Sequence, residues 1–187
     1  MERDLPMKKY EEFAYVLDFL PHARSSLISG RDGPIIQALG EEYLTLLEIM
    51  GMNGVSFDIG EKIYIGKEGR TKVISVLGKI PYSSLREGAK NEVSVVSESI
   101  VKSNESKFIS YFNELQAITP RLHALELIPG VGKTLMKKIL TQREKHHFES
   151  FEDLQNRVEI RDASKLIAKR IANELSRDSR VNIFVKR

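Results

Sequence analysis

The chain has 187 residues, of which 41% are apolar and 29% charged, enough for one large domain or two small ones and too apolar for wholesale disorder. It holds no cysteine, which excludes disulfide staples, iron–sulfur clusters, thiolate zinc sites and cysteine nucleophiles. The net charge of +3 hides an asymmetry: residues 1–119 carry 14 Lys+Arg against 17 Asp+Glu, whereas residues 120–187 carry 15 against 9. Such a basic last third is found where proteins meet nucleic acid or anionic surfaces, and also in a merely solvated basic face.

Residues 1–12 mix both signs of charge and lack an apolar run, so no signal peptide is expected. No stretch reaches the roughly 18 consecutive apolar residues of a membrane span. A cytoplasmic protein is the expectation. Phe13, Tyr15, Leu17 and Phe19 alternate with Ala14, Val16 and Asp18, the period of a strand, which Pro21 should end ahead of a polar loop over 22–33. Residues 35–39 and 43–50 are further extended segments, the second also compatible with a short helix. Val55, Phe57 and Ile59 alternate again, 61–65 follows, 67–70 makes a charged turn, and 71–80 returns as a strand. Short strands at close spacing with glycine turns predict a small closed barrel over residues 10–82, since closure removes unpaired edges. An OB-like barrel is the first expectation and an SH3-like barrel the second.

After Pro81 the period changes. Ser84-Leu85-Arg86-Glu87 has the form of a capping box. Leu85, Ala89, Val93, Val96 and Ile100 recur at helical spacing. Asn104 is placed to cap a second helix with Phe108, Phe112 and Leu115 inward. Residues 83–118 therefore read as a helical connector. From Pro120, residues 121–128 read as a short helix, Pro129-Gly130-Val131-Gly132 as a tight hairpin and 133–144 as a second helix. Leu135, Met136, Ile139 and Leu140 form its apolar stripe, with Lys133, Thr134, Lys137 and Lys138 on the opposite side. Both glycines permit positive φ and close approach of another backbone. Their amides, with those of Val131 and Lys133, fall at a helix N-terminus, where unpaired N–H groups and the dipole favour an anion. Lys133 and Lys137 add charge beside them. The segment is a phosphate-binding device in outline.

Leu125-Glu126-Leu127-Ile128-Pro129-Gly130-Val131-Gly132-Lys133 resembles the helix-hairpin-helix of DNA repair, recombination and RNA-processing proteins. That resemblance implies sequence-independent binding of the sugar-phosphate backbone. Phe148-Glu149-Ser150-Phe151-Glu152-Asp153-Leu154 is similar to the spacer of tandem arrangements, with Ser150 as a helix cap. Val158-Glu159-Ile160-Arg161-Asp162-Ala163 stands where a second hairpin belongs, without its glycines. A tandem domain over 119–178 with a degenerate second hairpin is implied. In the following helix Ile167, Ile171 and Leu175 point inward, leaving Lys165, Lys169 and Arg170 available outside.

Three further stretches extend the likeness to the whole chain: Phe13-Ala14-Tyr15-Val16-Leu17-Asp18, Gly60-Glu61-Lys62-Ile63-Tyr64-Ile65-Gly66 and Thr119-Pro120-Arg121-Leu122-His123. With Gly40-Glu41-Glu42-Tyr43, they make the chain look like an uncharacterised archaeal family. That family joins an OB-like domain to a tandem helix-hairpin-helix domain and is predicted to bind nucleic acid, RNA in preference.

Competing chemistry is weak. Gly132-Lys133-Thr134 lacks the P-loop glycine five residues before its Gly-Lys, where Leu127 stands. Asp153 lies in a helix-start context unlike the catalytic aspartate of helix-hairpin-helix glycosylases. His22, His123, His146 and His147 have no metal-ligand spacing. His123, beside Arg121, is either a phosphate contact or, the favoured reading, a satisfied structural histidine. Tyr15, Tyr43, Phe57 and Tyr64, with Lys62, Lys67, Arg70 and Lys72, offer a base-stacking platform. A small core is the favoured reading for most of those aromatics. Val181, Ile183 and Val185 alternate, so 179–187 is expected as a strand that adds to the barrel and joins the two domains.

The whole is an α+β protein with no catalytic residue, metal or cofactor. It is expected to hold RNA or DNA backbone through Gly130, Val131, Gly132, Lys133, Thr134, Lys137 and Lys138, helped by Arg121, Lys165 and Lys169. The alternative is a protein-interaction adaptor in a translation or RNA-processing assembly, with the hairpin purely structural and a protein partner at the barrel.

Overall fold

The computed structural model describes residues 10–177 and 179–186, so residues 1–9, Asp178 and Arg187 of the segments above lie outside it. The chain forms two compact units, one of residues up to Val96 together with Phe184 onward, the other of Ser97–Ile183. The division falls inside a helix of the expected connector, so residues 83–118 are shared between the units.

The first unit is an antiparallel five-stranded sheet of β1 (Phe13–Arg24), β2 (Asp32–Gly40), β3 (Leu46–Gly51), β4 (Lys62–Tyr64) and β5 (Val73–Lys79). Its order is β4-β1-β2-β3-β5. Alternation supplies one core face, where Ala14, Val16, Ile36, Ala38, Leu47, Ile49, Ile63 and Val73 pack with Phe57 and Ile65. The expected closed barrel is a curled half-barrel: no ladder among the described residues joins β4 to β5. Arg70 covers part of the β5 edge by donating to the Ile74 carbonyl at 3.1 Å.

Pro21 does not end the first strand. The β1–β2 register jumps from Leu20↔Ile35 to Ala23↔Gly33, which puts Pro21 and His22 in a bulge where no ladder N–H is needed. Residues 55–59 form no strand, although Phe57 is buried. The buried amide of Gln37 donates to the Ser84 carbonyl at 3.0 Å and accepts the Arg86 amide at 2.8 Å. The Ser84–Glu87 capping box is absent, because Ser84 closes a 3-10 turn and the helix α1 (Glu87–Ser103) starts later. Its expected face, Leu85, Ala89, Val93, Val96 and Ile100, is buried.

The second unit contains α2 (Glu105–Glu114), the short hairpin β6 (Ala117–Thr119) and β7 (Leu122–His123), then α3 (Lys133–Lys145), α4 (Phe151–Val158) and α5 (Ala163–Ser176). Asn104 occupies the cap position of α2, but its side chain bonds backward to the Ile100 carbonyl at 2.9 Å. Phe108, Ile109 and Phe112 are buried beneath it. Helix ends are closed by side chains from elsewhere in the unit. Arg143 donates to the carbonyls of Phe112 and Leu115 at 3.1 and 2.8 Å. Arg157 donates to those of Gln142 and His146 at 2.6 and 2.7 Å. Ser150 accepts the Asp153 amide at 3.0 Å, so it caps α4.

Arg170 is not available outside. It pairs with the fully buried carboxylate of Glu174 at 2.8 Å and donates to the Val181 carbonyl at 2.7 Å. Glu174 also accepts the Ile183 amide at 2.7 Å. This pins 179–183 to α5, and no strand forms among the described residues 179–186. Phe184 and Val185 are instead buried in the first unit, where the Lys186 amide donates to the Tyr43 carbonyl at 3.3 Å. Removing Glu174 would strand a largely buried guanidinium, so Glu174→Ala should cost about 3–5 kcal/mol in urea unfolding; a loss below about 1 kcal/mol would show that the pair does not hold this segment.

Candidate nucleic-acid interface

Residues 128–131 form a turn closed by the Val131 amide donating to the Ile128 carbonyl at 3.0 Å. Pro129 precedes Gly130, whose φ is +86°, the arrangement of a type II turn. Gly130 is the position that needs glycine. Gly132 is extended at φ −88° and ψ −179°, and a Cβ there would meet nothing within 4 Å. The expectation that both glycines serve positive φ is therefore corrected: Gly132 leaves open space at the helix entrance.

Helix α3 makes its first α-helical bond from the Met136 amide to the Gly132 carbonyl at 2.9 Å. The amides of Lys133, Thr134 and Leu135 precede that bond, and among the described residues no side chain caps them. Gly130, Gly132, Lys133, Thr134 and Lys137 are all exposed. Val131 departs from expectation. Its amide is committed to the turn and its side chain is buried, so it anchors the hairpin from below. Lys138 departs too, because it pairs with Glu159 at 2.7 Å and ties α3 to the α4–α5 loop. That bond holds the Glu159 carboxyl below its ordinary range.

The α4–α5 loop has no glycine, yet Glu159 and Asp162 both adopt left-handed backbone, at φ 63° and 52°. Asp162 stands at the N-cap of α5, but its side chain makes no cap hydrogen bond there. The first turns of α5 are nevertheless close to the hairpin: a Cβ on Gly130 would lie 3.6 Å from Leu166. Lys165 and Lys169 flank Leu166, are exposed and have no ion-pair partner among the described residues. Lys133 and Lys137 likewise have none. Among the described residues, four lysines without an ion-pair partner therefore stand on α3 and on the part of α5 whose Leu166 lies by Gly130.

Residues 121–128 are not the expected helix. Arg121 lies exposed in the β6–β7 turn, and a 3-10 turn over Ala124–Leu127 leads into the hairpin. His123 starts that turn by a device the sequence reading missed. Its buried Nδ1 accepts the Leu125 amide at 3.1 Å, while Glu126 accepts the His123 amide at 2.8 Å. This is a capping box built on His-x-x-Glu, and that spacing was its available signal.

The four aromatics expected as a stacking platform divide by burial. Phe57 lies in the core, and Tyr15 is buried with its hydroxyl on Glu41 at 3.3 Å. Tyr43 and Tyr64 are half-buried. The neighbouring cations are engaged within the fold. Lys62 pairs with Glu41 at 2.8 Å, which raises its pKa, and lies 4.4 Å from the Phe13 ring centre. Lys72 pairs with Glu61, Arg70 donates to the carbonyls of Ile65, Gly66 and Ile74, and Lys67 lies over Tyr10 at 4.7 Å.

Burial, reinforced by Arg143 and opposed by Glu126, holds the His123 imidazole below its ordinary pKa of 6.5. A base whose folded pKa is depressed contributes stability above the unfolded value that disappears as pH falls through the folded value. The thermal midpoint should therefore drop below pH 6.5 more steeply in the wild type than in His123→Asn, which retains a capping oxygen and does not titrate; parallel profiles would remove His123 from the pH response.

The chain matches, over residues 10–186, the family described as "Protein of unknown function (DUF655)". It is 41% identical over 181 residues to "Uncharacterized protein MJ0038" of Methanocaldococcus jannaschii, covering 96% of this chain and 82% of that protein. It is also similar to the crystal structure of Af1531 from Archaeoglobus fulgidus, which carries the same family designation. There the TM-score is 0.83 at 38% identity, over 94% of this chain and 100% of that one.

Proposed function

The chain belongs to the DUF655 family of uncharacterised archaeal proteins, and we propose that it is a non-enzymatic nucleic-acid-binding protein that holds backbone phosphates, independently of sequence, at the 128–134 hairpin. One observation carries this reading. The exposed entrance of α3 offers amides with no acceptor among the described residues. Lys133 and Lys137 stand on the same helix and Lys165 and Lys169 on the neighbouring part of α5, and none of the four has an ion-pair partner among those residues. Amides at a helix start take a phosphate oxygen directly, and unpaired lysines supply counter-charge without first breaking an ion pair.

The second unit is read as a tandem helix-hairpin-helix whose first helix is reduced to the 124–127 turn and whose second hairpin carries Glu159 and Asp162 in place of glycines. The first unit is read as OB-like. Support comes from the β4-β1-β2-β3 order, which is that of a Greek key. RNA is the preferred ligand on that reading. No helix among the described residues is long and apolar enough to cross a membrane, and a cytoplasmic location accords with the proposed ligand. A protein-facing role for the first unit is favoured by its exposed Leu27, Ile28 and Ile74. It would accompany phosphate binding rather than replace it.

Fluorescence anisotropy on labelled single-stranded RNA, hairpin RNA and duplex DNA tests the proposal. The dependence of log Kd on log salt should have a slope of about 2 to 4, and Lys133→Gln or Lys137→Gln should each lower it by about 1. Gly132→Val adds bulk to space that the fold leaves empty, so the variant should fold and yet lose about tenfold or more in affinity. Unchanged binding by a folded Gly132→Val would remove the hairpin from the function.

A further inference from the structure

The loop between β2 and β3, residues 41–45, is shaped around an anion. The amides of Glu42, Tyr43 and Thr45 donate to the Glu11 carboxylate at 2.8, 2.9 and 3.2 Å, one oxygen taking the first and the other oxygen the remaining two. These amides converge because Leu44, between them, adopts left-handed backbone at φ 56° with its side chain buried. A leucine holds that conformation only where its surroundings compensate. The carboxylate reaches the amides because Gly40 has no side chain; a Cβ there would overlap the Glu11 carboxyl carbon. Burial pushes the Glu11 carboxyl above its ordinary value, against the three amide bonds and a Thr45 side-chain hydrogen bond that pull it down. Converging backbone N–H groups of this kind make a nest, a receptor for small anions. The same loop also receives the C-terminal tail, since the Tyr43 carbonyl accepts the Lys186 amide beside buried Phe184 and Val185.

We propose that the 41–45 loop is a carboxylate receptor with Glu11 as its built-in ligand, that a free carboxylate takes the vacated place when the Glu11 side chain is removed, and that occupancy of the nest fixes the C-terminal tail through Tyr43. The slot suits a planar two-oxygen anion, because its donors address both oxygens from one side and its floor is the bare Cα of Gly40. The inference is independent of the hairpin and its ligand.

Hydrogen–deuterium exchange on the full chain tests it, reading the amides of Thr45 and Lys186 in the wild type, Glu11→Ala and Glu11→Gln. Charge-assisted bonds of this type should make both amides exchange about tenfold faster in Glu11→Ala. Sodium acetate should restore protection in that variant, whereas sodium chloride and sodium phosphate at the same ionic strength should not. Glu11→Gln fills the slot with a donor facing donors, so it should lose protection and stay unresponsive to acetate. Equal restoration by all three salts, or loss at Thr45 with Lys186 unchanged, would overturn the proposal. Where Glu11→Ala fails to fold, Glu11→Gln decides: faster exchange at both amides upholds the receptor, and wild-type exchange at either overturns it.

Discussion

The 128–131 turn sets the geometry on which the proposed phosphate-binding surface depends. A glycine at φ +86° reverses the chain within one residue, and the Val131 amide closes the turn while its side chain anchors it in the unit's interior. The next residue can then begin α3 with no side chain covering its first amides. Any residue with a Cβ at Gly130 would strain this reversal by roughly 1–2 kcal/mol. That Cβ would stand at ordinary contact distance from Leu166, 3.6 Å, so the cost lies in the backbone conformation and not in a clash with α5.

Around that turn the distribution of charge becomes meaningful. The whole-chain excess of +3 is small, and counting charges separates the two ends of the chain only coarsely. Both units contain ion pairs, and both leave cations without them, such as Arg24, Arg31 and Lys79 in the first among the described residues. In the first unit Lys62, Lys72 and Arg86 lie against Glu41, Glu61 and Asp18. In the second, Arg143 and Arg157 close helix ends, while Arg170 is held by Glu174. The lysines of the α3 and α5 starts are left without such partners among the described residues. The two amide cradles contrast in the same way, for the 41–45 loop contains a carboxylate of its own and the α3 entrance contains none.

Much of this was legible in the sequence because it depends on local rules. Alternation marked β1 but also suggested a strand at 55–59 that does not form, helical spacing marked the buried face of α1, and Pro129-Gly130 marked the turn. Ser150 was expected as a cap from the resemblance of 148–154 to a tandem spacer, and it accepts the amide three residues on. What escaped depends on partners distant in sequence. Pro21 is tolerated because β2 allows a bulge opposite it. Lys138 looked free because Glu159 reaches it only in three dimensions, whereas the pairing of Arg170 with Glu174, four residues on, was a local signal passed over. The 121–128 segment has helical composition, but a β-hairpin and a histidine cap leave room only for a 3-10 turn. The alternation of Val181, Ile183 and Val185 suggested a strand, yet bonds from Arg170 and Glu174 fix the backbone of 181 and 183 to a helix.

The most direct measurement is an amide NMR titration of the full-length protein with a short unlabelled RNA at low salt. The account predicts that the Gly132, Lys133 and Thr134 amides shift first and furthest, with Lys165 and Lys169 following, while the amides of β1 and β2 stay in place. Shifts concentrated on the sheet, with those three amides unmoved at saturation, would contradict it.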